Sequence, residues 1–246
     1  MDALTSAAAS GLRARIESLD LLANNIANAS APGFKADREF FGQYMSAEAA
    51  DSPEGTNPPT LPVVERQWTD FAQGSMLPTG NPLDLAINGK GFFVAIAPSG
   101  PVFTRDGSLQ ISPQGDLVTM AGYPVQGRDG KPIHLDNSMP MEIAPDGTVR
   151  QGGQDVSQLA VVDFADPAVL SKRGNNYFRL DVSTVQPTPA PNAEIQQGKL
   201  ESANAQPAES AVRLVNILRQ FESLQKALAI GAEMNKRAVE EVARVT

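Results

Sequence analysis

The stretch LRARIESLDLLANNIANASAPGFK, residues 12–35, decides how this chain is organised. Leu12, Ile16, Leu19, Ala23 and Ile26 follow one another at steps of four and three. That is the spacing at which apolar side chains form the seam of a coiled coil. It predicts a helix running from about Thr5 to Asn28, stopped by the breaker pair Pro32-Gly33. Asn24, Asn25 and Asn28 crowd the end of that helix. Asparagine is a poor helix former because its side chain bonds nearby backbone instead. These three are therefore expected to build a polar junction between the helix end and Phe34-Lys35, with Phe34 as an anchor, setting the angle at which the rest of the chain departs.

The other end of the chain mirrors this one. From Ala208 to Val245 there is no proline and a single glycine, Gly231. Leu214, Leu218, Phe221, Leu228 and Val242 make an apolar stripe, widened by Ile217 and Leu224. Glu222/Lys226, Glu233/Arg237 and Glu240/Arg244 stand at i,i+4 with the acid first, the favourable order on a helix. At 1.5 Å per residue such a helix reaches on the order of 55 Å, longer than the ~30 Å of a small domain.

Between the helices the pattern changes. Asp51 to Pro62 holds Pro53, Pro58, Pro59 and Pro62 with Gly55, and reads as an extended linker or loop. From about Leu83 to Leu200, short apolar runs such as Phe92–Ile96, Leu117–Thr119 and Leu159–Val162 alternate with Asp106-Gly107, Asp129-Gly130 and Asp146-Gly147. Asp-Gly pairs supply turns in which a positive φ is cheap, so the run reads as antiparallel β structure. Gln186 to Pro191 interrupts it with three prolines. The expected fold is α+β: long N- and C-terminal helices forming a coiled-coil assembly region, with a central, mainly antiparallel β domain. The boundaries are 1–34 for the first helix and turn, 35–80 for an extended linker region, 81–200 for the β domain and 201–246 for the last helix. Two arrangements stay open, helices that pair with each other away from the β body and helices that pack on the sheet.

Composition narrows the function. The net charge is −8, which disfavours nucleic acid and anionic membrane surfaces as partners, since both recruit basic faces. No stretch approaches the ~18 apolar residues of a membrane span, and Met1-Asp2-Ala3-Leu4-Thr5-Ser6 lacks the basic and apolar regions of a cleaved secretory signal. The chain has no cysteine and one histidine, His134, so thiolate zinc sites, HExxH sites and Cys/His catalysis are ruled out and a Ser/His/Asp triad has little to draw on. Gly89-Lys90-Gly91 lacks the spacing of a phosphate loop. Asp84 and Asp106 are the least ordinary carboxylates for glycosidase chemistry, although solvated or turn-forming acids explain them more simply. No catalytic, cofactor-binding or metal-ligating residue is assigned, and no cofactor is expected.

Taken together, the motifs resemble those of bacterial flagellar basal-body rod and hook proteins. Ala23–Asn28 followed by Pro32-Gly33-Phe34-Lys35 is similar to the N-terminal signature in which a helix ends in NN(L/I)AN and TGFK or PGFK follows. Thr79–Ile87 with Gly89-Lys90-Gly91-Phe92-Phe93 resembles the TGxPLDxAIxGxGFF element that opens the family's β domain, and Phe103–Gly107 its YTRxG turn. Gly115–Thr119 and Gly122–Val125 match the hairpin that follows. One departure stands before the last helix, where a SNVN-type motif is replaced by Ser202-Ala203-Asn204-Ala205 with Pro207 shortly after.

The resemblance implies a structural subunit of the rod, the axle that transmits torque and encloses the export channel. The short Ser46–Pro62 segment is more similar to proximal-rod proteins than to distal-rod or hook relatives. It further implies export unfolded through the flagellar type III apparatus without signal cleavage, and a periplasmic basal-body location. The partners implied are copies of itself, other axial rod and hook proteins, the export apparatus and surrounding ring proteins, with no nucleic acid and no membrane insertion. The assembly residues would be Leu12, Ile16, Leu19, Asn24, Asn25, Ile26, Asn28 and Phe34 at one end, and Leu214, Leu218, Phe221 and Leu228 at the other. A surface adhesion or glycan-binding module is the alternative of a different class, and a peptidoglycan hydrolase comes last.

Overall fold

The computed structural model describes residues 3–45, 60–174, 176–181 and 185–245. They divide into two compact units between which the chain passes four times: Met1–Ala27, Asp37–Thr69 and Gln206–Thr246 form one, Asn28–Ala36 and Asp70–Ala205 the other.

The first unit is mainly helical. Helix α1 spans Ala3–Ala27 and helix α2 spans Pro207–Val245. The opening proline of α2 is tolerated because the first turn has no intrahelical use for its N–H. Within this unit α1 packs against α2 and against strands β1 (Asp37–Met45) and β2 (Thr60–Thr69). Those strands pair antiparallel, with a bulge between Phe40 and Phe41.

Residues 35–80, expected as an extended linker, thus carry two of the longest strands of the molecule. Their alternation is obscured in sequence by Pro62 and by the bulge, which shifts the register. The Asp51–Pro59 part of that expectation lies outside the described residues.

The second unit holds the antiparallel β structure. Strands β3 (Met76–Pro78), β4 (Leu85–Asn88), β5 (Phe92–Ala97) and β6 (Gly100–Thr104) open it. A six-stranded sheet runs in the order Leu170–Lys172, Tyr177–Leu180, β6, β5, Val161–Asp163, Thr188–Pro189. Glu194–Gln197 pairs with β4 and Lys199–Glu201 with β3, so the end of the unit returns to its beginning.

Strand β5 reads FFVAIA without polar alternation because both of its faces are covered. Phe93 packs among Leu85, Ile87, Leu117 and Val125. Phe92, on the opposite face as the two-residue period requires, packs with Val94, Phe103, Phe164 and Phe178. Edge-on ring contacts at 4.9 and 6.0 Å join Phe164 to Phe103 and Phe92. Each such ring taken from water contributes about 1.5–3 kcal/mol.

Candidate functional site

Among the α1 residues whose side chains are described, those covered within the chain are Ala8, Gly11, Ala14, Ser18, Leu22 and Asn25. This stripe is built largely from small side chains, which let neighbouring backbone come close. Ser18 settles its own hydroxyl by donating to the Ala14 carbonyl at 3.0 Å, one turn back. The apolar seam expected from sequence lies elsewhere on the helix. Leu12 and Leu19 are half-buried, Ala23 and Ile26 are exposed, and Ile16 keeps 48% of its surface.

Helix α2 turns inward a row with a strict four-three repeat: Ser210, Leu214, Ile217, Phe221, Leu224, Leu228 and Gly231 are buried or half-buried. Leu214, Phe221 and Leu228 therefore fall on the covered side, whereas Leu218 is 44% exposed. Of the expected charge pairs, Glu233 and Arg237 meet at 3.0 Å. Val242 and Arg244 lie outside the residues whose side chains are described.

At the end of α1, Asn25 is buried and grips one residue of β1 from both sides. Its amide donates to the Asp37 carbonyl at 2.7 Å, and its Oδ1 accepts from the Asp37 N–H at 2.9 Å. Asn24 is exposed, and Asn28 is half-buried with its carbonyl accepting from Ala31 N–H at 3.0 Å. The partner of the Asn25 junction is therefore Asp37, three residues beyond the anchor Phe34.

We expect Asn25→Leu to lower the stability of this unit by about 2 kcal/mol, because two backbone groups lose their partner where water enters poorly. Asp20→Asn, at an exposed position of the same helix, should stay within ~0.5 kcal/mol, as exposed substitutions do. Trp68, in β2 opposite Arg38, reports both in urea titrations. Equal shifts would remove the junction role.

In the second unit, three segments converge on one buried charge cluster. The Lys35 ammonium donates to Glu201 Oε1 at 2.5 Å and to the Ala72 carbonyl at 2.8 Å. Arg105 donates through Nη1 to Glu201 Oε2 at 3.1 Å and to the Ile87 carbonyl at 3.2 Å, and through Nη2 to the Gly89 carbonyl at 2.7 Å. The side chains of Lys35, Glu201 and Arg105 are 0%, 0% and 4% exposed. Burial lowers the Lys35 and Arg105 pKa values below their ordinary range, and the Glu201 carboxylate opposes that shift in both.

Around this cluster Phe34 is buried beneath Lys172, whose ammonium sits 4.5 Å from the ring centre and donates to the Lys35 carbonyl at 2.6 Å. Asn204 accepts from Ala36 N–H at 2.7 Å and donates to the Asp70 carbonyl at 2.7 Å. Nothing in residue spacing announced this assembly, since Lys35 and Glu201 are 166 residues apart. The one available signal was the presence of Lys35, Arg105 and Asn204 within the motifs already quoted.

The carboxylates considered for chemistry are structural. Asp84 accepts from Asn81 Nδ2 at 3.0 Å, and Asp106 accepts from Ser108 N–H at 2.9 Å. Burial raises the Asp106 pKa. His134 is exposed and lies 3.1 Å from Asp116. A groove of 710 Å³ on the β unit is lined by Val94, Phe103, Val162 and Leu180 with Arg128 and Arg179, and no acid among the described residues lines it. It therefore lacks the carboxylate pair that glycoside hydrolysis uses.

Three family models match the chain: one described as flagella basal body rod protein over residues 6–35, one as flagellar hook protein FlgE/F/G D1 domain over 86–151, and one as flagellar basal body rod FlgEFG protein C-terminal over 196–241. The chain is 37% identical to a flagellar basal-body rod protein FlgF of Caulobacter vibrioides, over 92% of each chain. It is 32% identical to the FlgF protein of Mesorhizobium japonicum over 90% of each. A flagellar basal-body rod protein FlgG of Buchnera aphidicola is also 32% identical, over 91% of this chain and 94% of its own. Asn25 and Lys35 lie in the first matched segment, Arg105 in the second, and Glu201 in the third.

Proposed function

Because the chain belongs to the flagellar basal-body rod proteins, we propose that it is a structural subunit of the flagellar basal-body rod, built into the axle through α1 and α2. One observation carries this reading beyond the family. Each terminal helix keeps a second apolar face uncovered in the single chain, with Ile16 and Ile26 on α1 and Val212, Val215 and Leu218 on α2. Soluble monomers rarely leave apolar rows open on adjoining elements unless another surface covers them. The occupants we assign are the corresponding helices of neighbouring axial subunits, closing a coiled-coil tube.

The finer assignments follow from the same reading. The subunit works in the periplasm as part of the proximal rod, surrounds the export channel and transmits torque. It arrives unfolded through the flagellar type III apparatus without signal cleavage, and meets other rod and hook proteins and the surrounding rings. No helix among the described residues is long and apolar enough to cross a membrane. No observation favours a glycan-binding module.

The test is deletion. Chains lacking residues 1–27 or 206–246 are expected to keep a protease-resistant β unit and to lose incorporation into basal bodies and motility entirely. Basal bodies that contain either shortened chain at parental levels would overturn the proposal.

A further inference from the structure

We infer that Glu201 is a closure residue, a single carboxylate that makes the folded state of the β unit conditional on arrival of the segment just before α2. The order of the groups along the chain sets this condition. Among the described residues every donor to the Glu201 carboxylate lies at or before residue 105: Lys35 Nζ, Gly74 N–H at 2.9 Å and Arg105 Nη1. The Glu201 carbonyl in turn accepts from Gly33 N–H at 2.7 Å. Two neighbours fasten the same segment, since Ser202 N–H donates to the Ser75 carbonyl at 2.8 Å and Asn204 bridges Ala36 to Asp70.

Without Glu201 the closed unit would bury two cations. Lys35 would retain one carbonyl partner, Ala72, and Arg105 would retain two, Ile87 and Gly89. Arg105 Nε is already buried with no hydrogen-bond partner among the described residues. The remaining charged groups acting on the pair do not replace the lost anion. Asp70 acts on Lys35 and Asp163 on Arg105, each more weakly than Glu201, while the two cations repel one another. Removing one member of a buried ion set leaves an uncompensated charge, and that cost far exceeds what the intact set contributes over an apolar replacement.

The consequence is an open β unit for any chain whose residues up to 198 are present and whose Lys199–Glu201 strand is not. Its value to a subunit delivered end-first rests on the reading of the preceding subsection. The closure itself rests on the cluster alone.

The experiment uses the purified full-length protein and slow native-state proteolysis at low protease concentration, which reads the population of the open unit when opening and closing are fast relative to cleavage. Glu201→Gln keeps the shape and the Gly74 bond but removes the anion. It is expected to raise the open population on the order of a hundredfold, about 3 kcal/mol at 1.4 kcal/mol per tenfold. The triple variant Lys35→Met, Arg105→Met, Glu201→Gln removes the cations as well and should return to within about tenfold of the parent. A Glu201→Gln protein as closed as the parent would overturn the inference. So would a triple variant as open as Glu201→Gln, since shape or hydrogen bonding rather than charge would then set the condition. Both readouts are taken on unassembled protein, so a failed rod assignment would leave them unaffected.

Discussion

Gly33→Ala should destabilise the β unit by about 2–5 kcal/mol and displace the Phe34-Lys35 segment from its seat. Two costs combine. Gly33 has φ +66°, where a side chain costs about 1–2 kcal/mol. The added Cβ would also lie 2.3 Å from both the Arg105 carbonyl carbon and the Asp106 amide nitrogen. Those are backbone atoms of the bend that follows β6 and carries Arg105, so no rotamer change relieves the collision. Forcing volume into a packed site adds about 1–3 kcal/mol.

Gly80→Ala is the control. Its φ is +72° and a Cβ there meets nothing within 4 Å, so only the conformational cost of about 1–2 kcal/mol applies. Urea titrations followed by near-ultraviolet circular dichroism, which reports the packed Phe and Tyr rings of this unit, measure both. Equal midpoints would mean that the close approach of Gly33 to Arg105 contributes nothing.

The second large effect separates stability from assembly. Ile16→Asp combined with Leu218→Asp alters two exposed positions. The unassembled protein should therefore keep its helical content and its urea midpoint to within about 0.5 kcal/mol per site. On the proposed reading it should nevertheless be absent from basal bodies and fail to support motility. Each carboxylate would have to be buried between helices with no cation to meet it, at a cost of several kcal/mol per ion.

Ile217→Asp should do the reverse. Ile217 is buried in the covered row of α2, so a charge there should loosen the helical unit in the monomer before assembly is tested. Circular dichroism of the purified chains and immunoblots of isolated basal bodies distinguish the two patterns. Parental incorporation of the double variant would show that the outward rows do not mediate contact between subunits.

Local pattern was enough for a good part of this protein. Helix α1 stops at Ala27, short of Pro32-Gly33, and α2 begins at Pro207, where a proline is tolerated, because those backbone restrictions act over a few residues wherever they occur. The unbroken run of β5 and the Asp-Gly turns around it are equally local. The motifs at Asn24–Lys35, Thr79–Phe93 and Phe103–Gly107 carried the family resemblance without any tertiary information.

Three matters were decided only in three dimensions. Which row of α1 is covered depended on what approaches it. Ala8, Gly11, Ala14 and Ser18 are weakly hydrophobic, so a periodicity argument favours Leu12, Ile16, Leu19 and Ile26, yet small residues admit the closer neighbour. The β1–β2 pairing depended on matching residues such as Arg38 and Trp68 across a long interval. The charge cluster depended on bringing Lys35, Arg105 and Glu201 together across separations of 166 and 96 residues. Buried charges obey pairing rules that name the type of partner and not its position. Sequence therefore supplied the lysine, the arginine and the glutamate, and only the fold made them one site.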